Sequence, residues 1–128
     1  MADRYNIVTV DGHGIVQASG LNIDLPATAR VAFDGEDLVA CWGLAWSQEP
    51  RRCWLFFAVE NYRPGIGFII RRETKRCFRQ AVQLGETEVY TVRDVEFPSS
   101  IKLMRIFGFE NFAVENGQEV WIWRSSRQ

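Results

Sequence analysis

One segment restricts the fold of this chain more than any other. A continuous apolar run, Cys-Trp-Leu-Phe-Phe-Ala-Val at 53–59, is followed at once by the loop Glu-Asn-Tyr-Arg-Pro-Gly-Ile-Gly at 60–67. An apolar run of this length, with no polar side alternating through it, reads as a strand buried on both faces of a sheet. Beyond the loop a helix is expected over about 67–84. Ile66, Ile70, Cys77, Ala81 and Leu84 recur at helical spacing and are expected to face the core. Arg71, Arg72, Lys75, Arg76 and Arg79 then fall on the other side of the helix, which is most simply a solvated face. Gly85 suits the helix C-terminus, and residues 88–95 read as the next strand. A strand–helix–strand unit of this kind favours a right-handed crossover.

The flanking segments add hairpins to that unit. Residues 5–10 read as a short strand, and Asp11-Gly12-His13-Gly14 as a turn. Residues 15–29 fit either a short helix or a loop. Residues 30–33 and 38–46 form two apolar runs across Asp34-Gly35-Glu36-Asp37, a good hairpin signal. Ser99 or Ser100 can N-cap a helix running to about Phe107, with Gly108 ending it. Residues 109–115 and 119–124 close the chain as a hairpin through Asn116-Gly117. The expected fold is therefore α/β (α+β), with a mixed, mainly antiparallel central sheet.

The 128 residues suit one domain, 1–128, large enough to bury a core without staples. Net charge is −1, so the global basic excess of a nucleic-acid binder is missing. Cys41, Cys53 and Cys77 are widely spaced and form no C-x-x-C, which points to reduced core thiols rather than a metal or redox site. No metal is expected. No apolar run approaches the roughly 20 residues that cross a bilayer, and the N-terminus lacks a signal-peptide core. A cytoplasmic protein is expected, with no membrane role.

Two segments carry a family resemblance. Val59-Glu60-Asn61-Tyr62-Arg63-Pro64-Gly65-Ile66-Gly67 reads R-x-G-x-G after a strand. It resembles a shortened form of the acyl-CoA loop R/Q-x-x-G-x-G/A of the GNAT acyltransferase superfamily. Ile101-Lys102-Leu103-Met104-Arg105-Ile106-Phe107-Gly108-Phe109-Glu110 resembles that superfamily's short helix ending in L-G-F-E/K. The resemblance covers residues 30–124 and leaves 1–29 as a reduced N-terminal region. A narrower likeness, through Cys41-Trp42-Gly43-Leu44, residues 52–57 and residues 72–79, is to compact GNAT-like proteins of tailed phages.

The resemblance implies acetyl-CoA as co-substrate and an amine as acceptor. Backbone amides at a helix start bind pyrophosphate, and glycines let the backbone approach it. Gly65 and Gly67 are the expected cradle, with Arg63, Arg71 and Arg72 as charge-assisted partners. The same loop also serves as a plain strand-to-helix turn. The pantetheine arm would lie between residues 57–59 and 89–92, with a backbone amide near Phe57 and Val59 on the thioester carbonyl. Glu60 stands where the family often keeps a general base, although an exposed loop carboxylate reads the same way. Asp94, Glu96 and His13 are poorer candidates. The family's usual proton donor, a Tyr four residues before the glycine of the G-F pair, is Met104 here, which has no proton to give. Two expectations stand side by side. One is an N-acyltransferase or CoA-binding protein with an open gap beside Glu60. The other is a catalytically silent structural or assembly protein, of phage origin and in the virion, with Phe57, Tyr62 and Tyr90 filling that gap and a protein partner in place of a substrate. The closing strands would serve a homodimer in either case.

Overall fold

Strands β1 (Asn6–Asp11), β2 (Ala27–Asp34), β3 (Asp37–Gln48) and β4 (Arg51–Val59) build the first four positions of the sheet. Helix α1 (Ile66–Gln83) connects them to β5 (Glu88–Val92). Helix α2 (Ser100–Ile106) and the hairpin of β6 (Glu110–Glu115) and β7 (Gln118–Arg124) complete the chain. The computed structural model describes residues 5–11, 25–93 and 100–125. His13, Asp94, Glu96, the Ser99 cap, the turn after Asp11 and most of the ambiguous segment 15–29 lie outside the described residues.

All seven described strands join one sheet in the order β1-β2-β3-β4-β5-β7-β6. Every neighbouring pair is antiparallel except β4 with β5. This is the mixed, mainly antiparallel sheet expected. Both anticipated hairpin turns form. Asp34 pairs with Asp37 across Gly35, which takes a φ of 64°. Asn116 and Gly117 both adopt positive φ, 54° and 77°, the conformation that matches a two-residue turn to strand twist. Strand β2 starts earlier than the apolar run at 30–33 suggested. Its first residues are Ala27, Thr28 and Ala29, held by pairing with β3 rather than by their own propensity.

The two described helices end alike. At α1 the amides of Gly85 and Glu86 return to the carbonyls of Val82 and Ala81. At α2 those of Gly108 and Phe109 return to Arg105 and Met104. Both glycines sit at left-handed φ, 91° and 90°, so each end is a Schellman motif.

The main core lies between the sheet and α1. It joins Trp42 and Leu44 of β3, Cys53 and Leu55 of β4, and Ile66, Ile69, Cys77, Phe78 and Ala81 of α1. The helix therefore buries Ile66, Cys77 and Ala81 of the expected stripe, and the stripe widens to one side of them. Ile69, Glu73, Thr74 and Phe78 are buried, Ile70 is half-buried, and Leu84 is exposed at the helix end. A charged Glu73 inside the stripe hid its true width. Strand β4 is also less uniformly buried than its composition suggested. Cys53 and Leu55 face α1, whereas Trp54, Phe56 and Phe57 are half-buried and Val59 is exposed.

Candidate functional site

The site expected from sequence lies where β4 leaves β5 and turns into α1. The two strands share one ladder position, Trp54 with Tyr90. The Thr91 hydroxyl adds a bond of 2.9 Å to the carbonyl of Leu55. Past that point β4 runs on to Val59 and β5 to Val92 without another ladder pair between them among the described residues. On its other side β4 keeps an unbroken register with β3, from Gln48↔Arg51 to Ala40↔Val59.

That register fixes where the β4 amides point. The Glu60 amide donates to Val39 of β3 at 2.8 Å. Backbone groups alternate sides along an antiparallel strand. The amides of Val59 and Phe57 therefore face away from β3, into the stretch that β5 no longer pairs. The Leu55 carbonyl points the same way, as its bond to Thr91 requires.

None of the three aromatic side chains expected to fill this gap is committed to it. The Phe57 ring stacks on Trp42, with centroids 5.2 Å apart, over β3. Tyr62 is 76% exposed. Tyr90 packs with Trp54 and Phe112 and lies under the Arg52 guanidinium, while its hydroxyl donates to Glu88 at 3.1 Å. Burial, and then that hydrogen bond, raises the Tyr90 hydroxyl above its ordinary range.

The loop delivers the chain to α1 through Gly65, which takes φ 90° at the N-cap. Gly65 has no side chain to cap the helix, and no acidic residue stands in the first turn. Three of the early amides are used locally: Ile66 donates to Arg63 at 3.1 Å, and Phe68 and Ile69 donate to Gly65 at 3.1 and 3.4 Å. The Gly67 amide takes no backbone acceptor among the described residues. A Cβ added at Gly65 or Gly67 would meet nothing within 4 Å, so the helix start is open to a ligand. The space and the Gly67 amide fit an anionic group such as a pyrophosphate.

The charged candidates divide. Arg63 turns back to the β2–β3 hairpin, donating to Asp34 at 3.1 Å and Asp37 at 2.9 Å. It braces the loop from behind. Arg72 donates to Glu73 at 3.3 Å. Arg71 is exposed on the outer face of α1. Glu60 is exposed, and its backbone is anchored to β3 while its carboxylate makes no hydrogen bond or ion pair among the described residues. Met104 is half-buried and packs against the main core. Among the described residues no group of three His, Cys, Asp or Glu side chains could hold a metal ion, and no helix is long and apolar enough to cross a membrane.

Sequence reasoning missed Thr91, whose signal was the one aliphatic hydroxyl in the run Val-Tyr-Thr-Val. It also missed the buried junction around Glu73. There the carboxylate accepts from Arg30 Nη1 and Trp42 Nε1, both at 3.0 Å, and so ties α1 to β2 and β3. Its signal was a lone acidic residue in an otherwise basic helix.

No protein-family model matches the sequence, and no curated protein sequence matches it. Solved structures do match. An IAA acetyltransferase from Bacillus cereus superposes with a TM-score of 0.66 at 16% identity, over 93% of this chain and 99% of its own. A Bacillus subtilis acetyltransferase in complex with CoA gives 0.62 at 14% identity, over 93% and 99%. The spermidine/spermine N-acetyltransferase SpeG from Vibrio cholerae gives 0.64 at 14%, over 94% and 93%. These neighbours lend no support to the phage likeness. With their match over nearly the whole of each chain, the fold of this protein is that of the GNAT acetyltransferases.

Proposed function

We propose that this protein binds acetyl-CoA and transfers its acetyl group to an amine. One observation carries the reading. The strand pair opens after Trp54 and Thr91, and the amides of Phe57 and Val59 face the opening, which leads to the uncapped glycine start of α1. That layout suits a ligand with a phosphate end and a thioester end. In this reading the Gly67 amide and the helix start take the pyrophosphate. The pantetheine arm pairs with the free edge of β4 as a strand would. The Phe57 or Val59 amide donates to the thioester oxygen and stabilises the charge that forms there.

The chemical step is aminolysis. The amine nitrogen attacks the thioester carbon, an N–C bond forms, the C–S bond breaks and CoA leaves as thiolate. The amine proton passes through water to Glu60, the carboxylate nearest the β4 end. With Met104 in the position of the usual acid, the thiolate takes its proton from solvent. Positioning and amide polarisation then carry most of the rate.

A second reading is CoA binding without turnover. It is favoured by the packing of Met104 into the core and by the absence of any described group that holds the Glu60 carboxylate in place. One titration followed by one assay separates the readings. Acetyl-CoA is titrated into the protein by isothermal calorimetry, and CoA release is then followed with a thiol reagent against a panel of amines. Micromolar binding with amine-dependent release supports transfer, and binding without release supports the second reading. Absence of binding at millimolar acetyl-CoA refutes both.

A further inference from the structure

Helix α1 concentrates positive charge. Its sequence holds Arg71, Arg72, Lys75, Arg76 and Arg79 against a single carboxylate, Glu73, and that carboxylate is buried. On one flank of the basic ridge, Arg71 and Lys75 are exposed and, with Phe68, border an open groove that Arg72 and Arg79 share. On the other, a cleft of about 450 Å³ opens between α1 and strands β1 and β2. Arg30, Arg72, Arg76 and Arg79 line it, with Tyr5 and Glu73.

The floor of this cleft is a built structure. Glu73 is 2% exposed. Its Oε1 accepts from Arg30 Nη1 and Trp42 Nε1, and its Oε2 from Arg72 Nε. Among the described residues it is the one carboxylate lining the cleft, alongside the guanidinium groups of Arg30, Arg72, Arg76 and Arg79. Donor capacity is left over. Arg30 Nε is buried without an acceptor. Arg76 comes no closer to Glu73 than 4.0 Å. Arg79 has no hydrogen bond or ion pair among the described residues. Buried donors without partners are uncommon in folded proteins, and a cluster of like charges is held together at a cost unless an anion relieves it.

We propose that the cleft between α1 and β1 is a second binding site, for a ligand carrying two adjacent phosphate groups. Guanidinium forks match phosphate oxygens, and a tetrahedral phosphate accepts donors from several directions at once. Here donors come from the sheet, through Arg30, and from successive turns of the helix, through Arg72, Arg76 and Arg79. Those helix positions span roughly 10 Å, room for two phosphates side by side. The site is separate from the start of α1, since Gly67 lies nine residues and roughly 13 Å along the helix from Arg76. It does not depend on the acetyl-transfer reading.

The test is calorimetric titration of the whole chain with inorganic pyrophosphate at physiological ionic strength. Three double or single variants accompany the wild type: Arg76→Ser with Arg79→Ser, Arg71→Ser with Lys75→Ser, and Gly67→Asp. All change exposed positions, so folding is not at risk as it would be at Arg30. The first pair is expected to weaken binding by about a hundredfold, roughly tenfold for each charged donor lost. The matched-charge pair on the outer flank is expected to stay within about twofold. Gly67→Asp alters only the separate helix start, and binding by the cleft is expected to persist in it. The proposal is overturned if pyrophosphate gives no heat at millimolar concentration. Equal weakening by the two double variants also overturns it, because the helix would then act as a diffuse field. So does a loss confined to Gly67→Asp, which would move the phosphates to the helix start.

Discussion

Thr91 and Leu55, 36 positions apart, are joined by a hydroxyl-to-carbonyl bond of 2.9 Å at the point where β4 and β5 separate. The bond satisfies a carbonyl that the ladder no longer reaches. Thr91→Val keeps the shape and removes the donor, leaving the Leu55 oxygen unpaired. The expected loss of stability is about 1–2 kcal/mol by urea denaturation. Acetyl-CoA binding should weaken as well, because the mouth of the gap loses its fixed edge. Unchanged binding by calorimetry would remove Thr91 from the site.

Gly67→Asp tests the other end of the gap. The added carboxylate has space, since a Cβ there meets nothing within 4 Å, so the fold should be kept. It would oppose a pyrophosphate at the helix start. Acetyl-CoA affinity should fall by tenfold or more with little change in melting temperature. Equal affinity would refute the assignment of the loop.

Gly43 is required by a close approach rather than by its own backbone angle. A Cβ built there stands 2.1 Å from the Thr28 carbonyl oxygen, on the neighbouring strand β2. Backbone cannot step aside as a side chain can. Gly43→Ala should cost about 3 kcal/mol, read as a drop in the urea midpoint.

Glu73 is the acceptor for Arg30 and Trp42 together. Glu73→Ala strands a guanidinium and a buried indole N–H, and should cost about 3 kcal/mol. Glu73→Gln keeps an acceptor for Trp42 and should cost less. If the two variants melt alike, the charge rather than the hydrogen bond is what matters.

The acid limb of stability has an identifiable contributor. Two bonds from Arg93, and then one from the Trp121 indole, hold the Glu119 carboxyl down to about 2, against an ordinary 4.5. A carboxyl lowered on folding stabilises fully above its ordinary value and loses that effect as pH falls to its folded value. The contribution should fade between about pH 4.5 and 2. Glu86, lowered first by Arg51, adds to the same limb. Melting temperatures across this range should fall less steeply in Glu119→Gln than in the wild type.

The sequence was most legible where local chemistry decides the structure. Asp34-Gly35 and Asn116-Gly117 announced their hairpins, and Gly85 and Gly108 their helix ends, because left-handed backbone needs such residues. The β4–loop–α1–β5 order was equally plain. What stayed hidden depends on partners distant in sequence. Glu73 was not read as a buried acceptor because that role needs Arg30 and Trp42, 43 and 31 positions away. Arg63 looked like a phosphate ligand because Asp34 and Asp37 meet it only in the folded chain. The directions of the Phe57 and Val59 amides follow from the β3–β4 register, which composition does not encode.

The sheet consists of a block of four strands and a block of three, whose one ladder pair among the described residues is the parallel position Trp54↔Tyr90. Each block is antiparallel within itself and made largely from hairpins between consecutive strands. Such contacts close short loops and form quickly, whereas the parallel seam must wait for α1 to cross over. During synthesis, β1 to β4 can therefore assemble with α1 before residue 88 has left the ribosome. The three-strand block then docks onto an edge already in place, and the gap between them is the last part of the molecule to take shape.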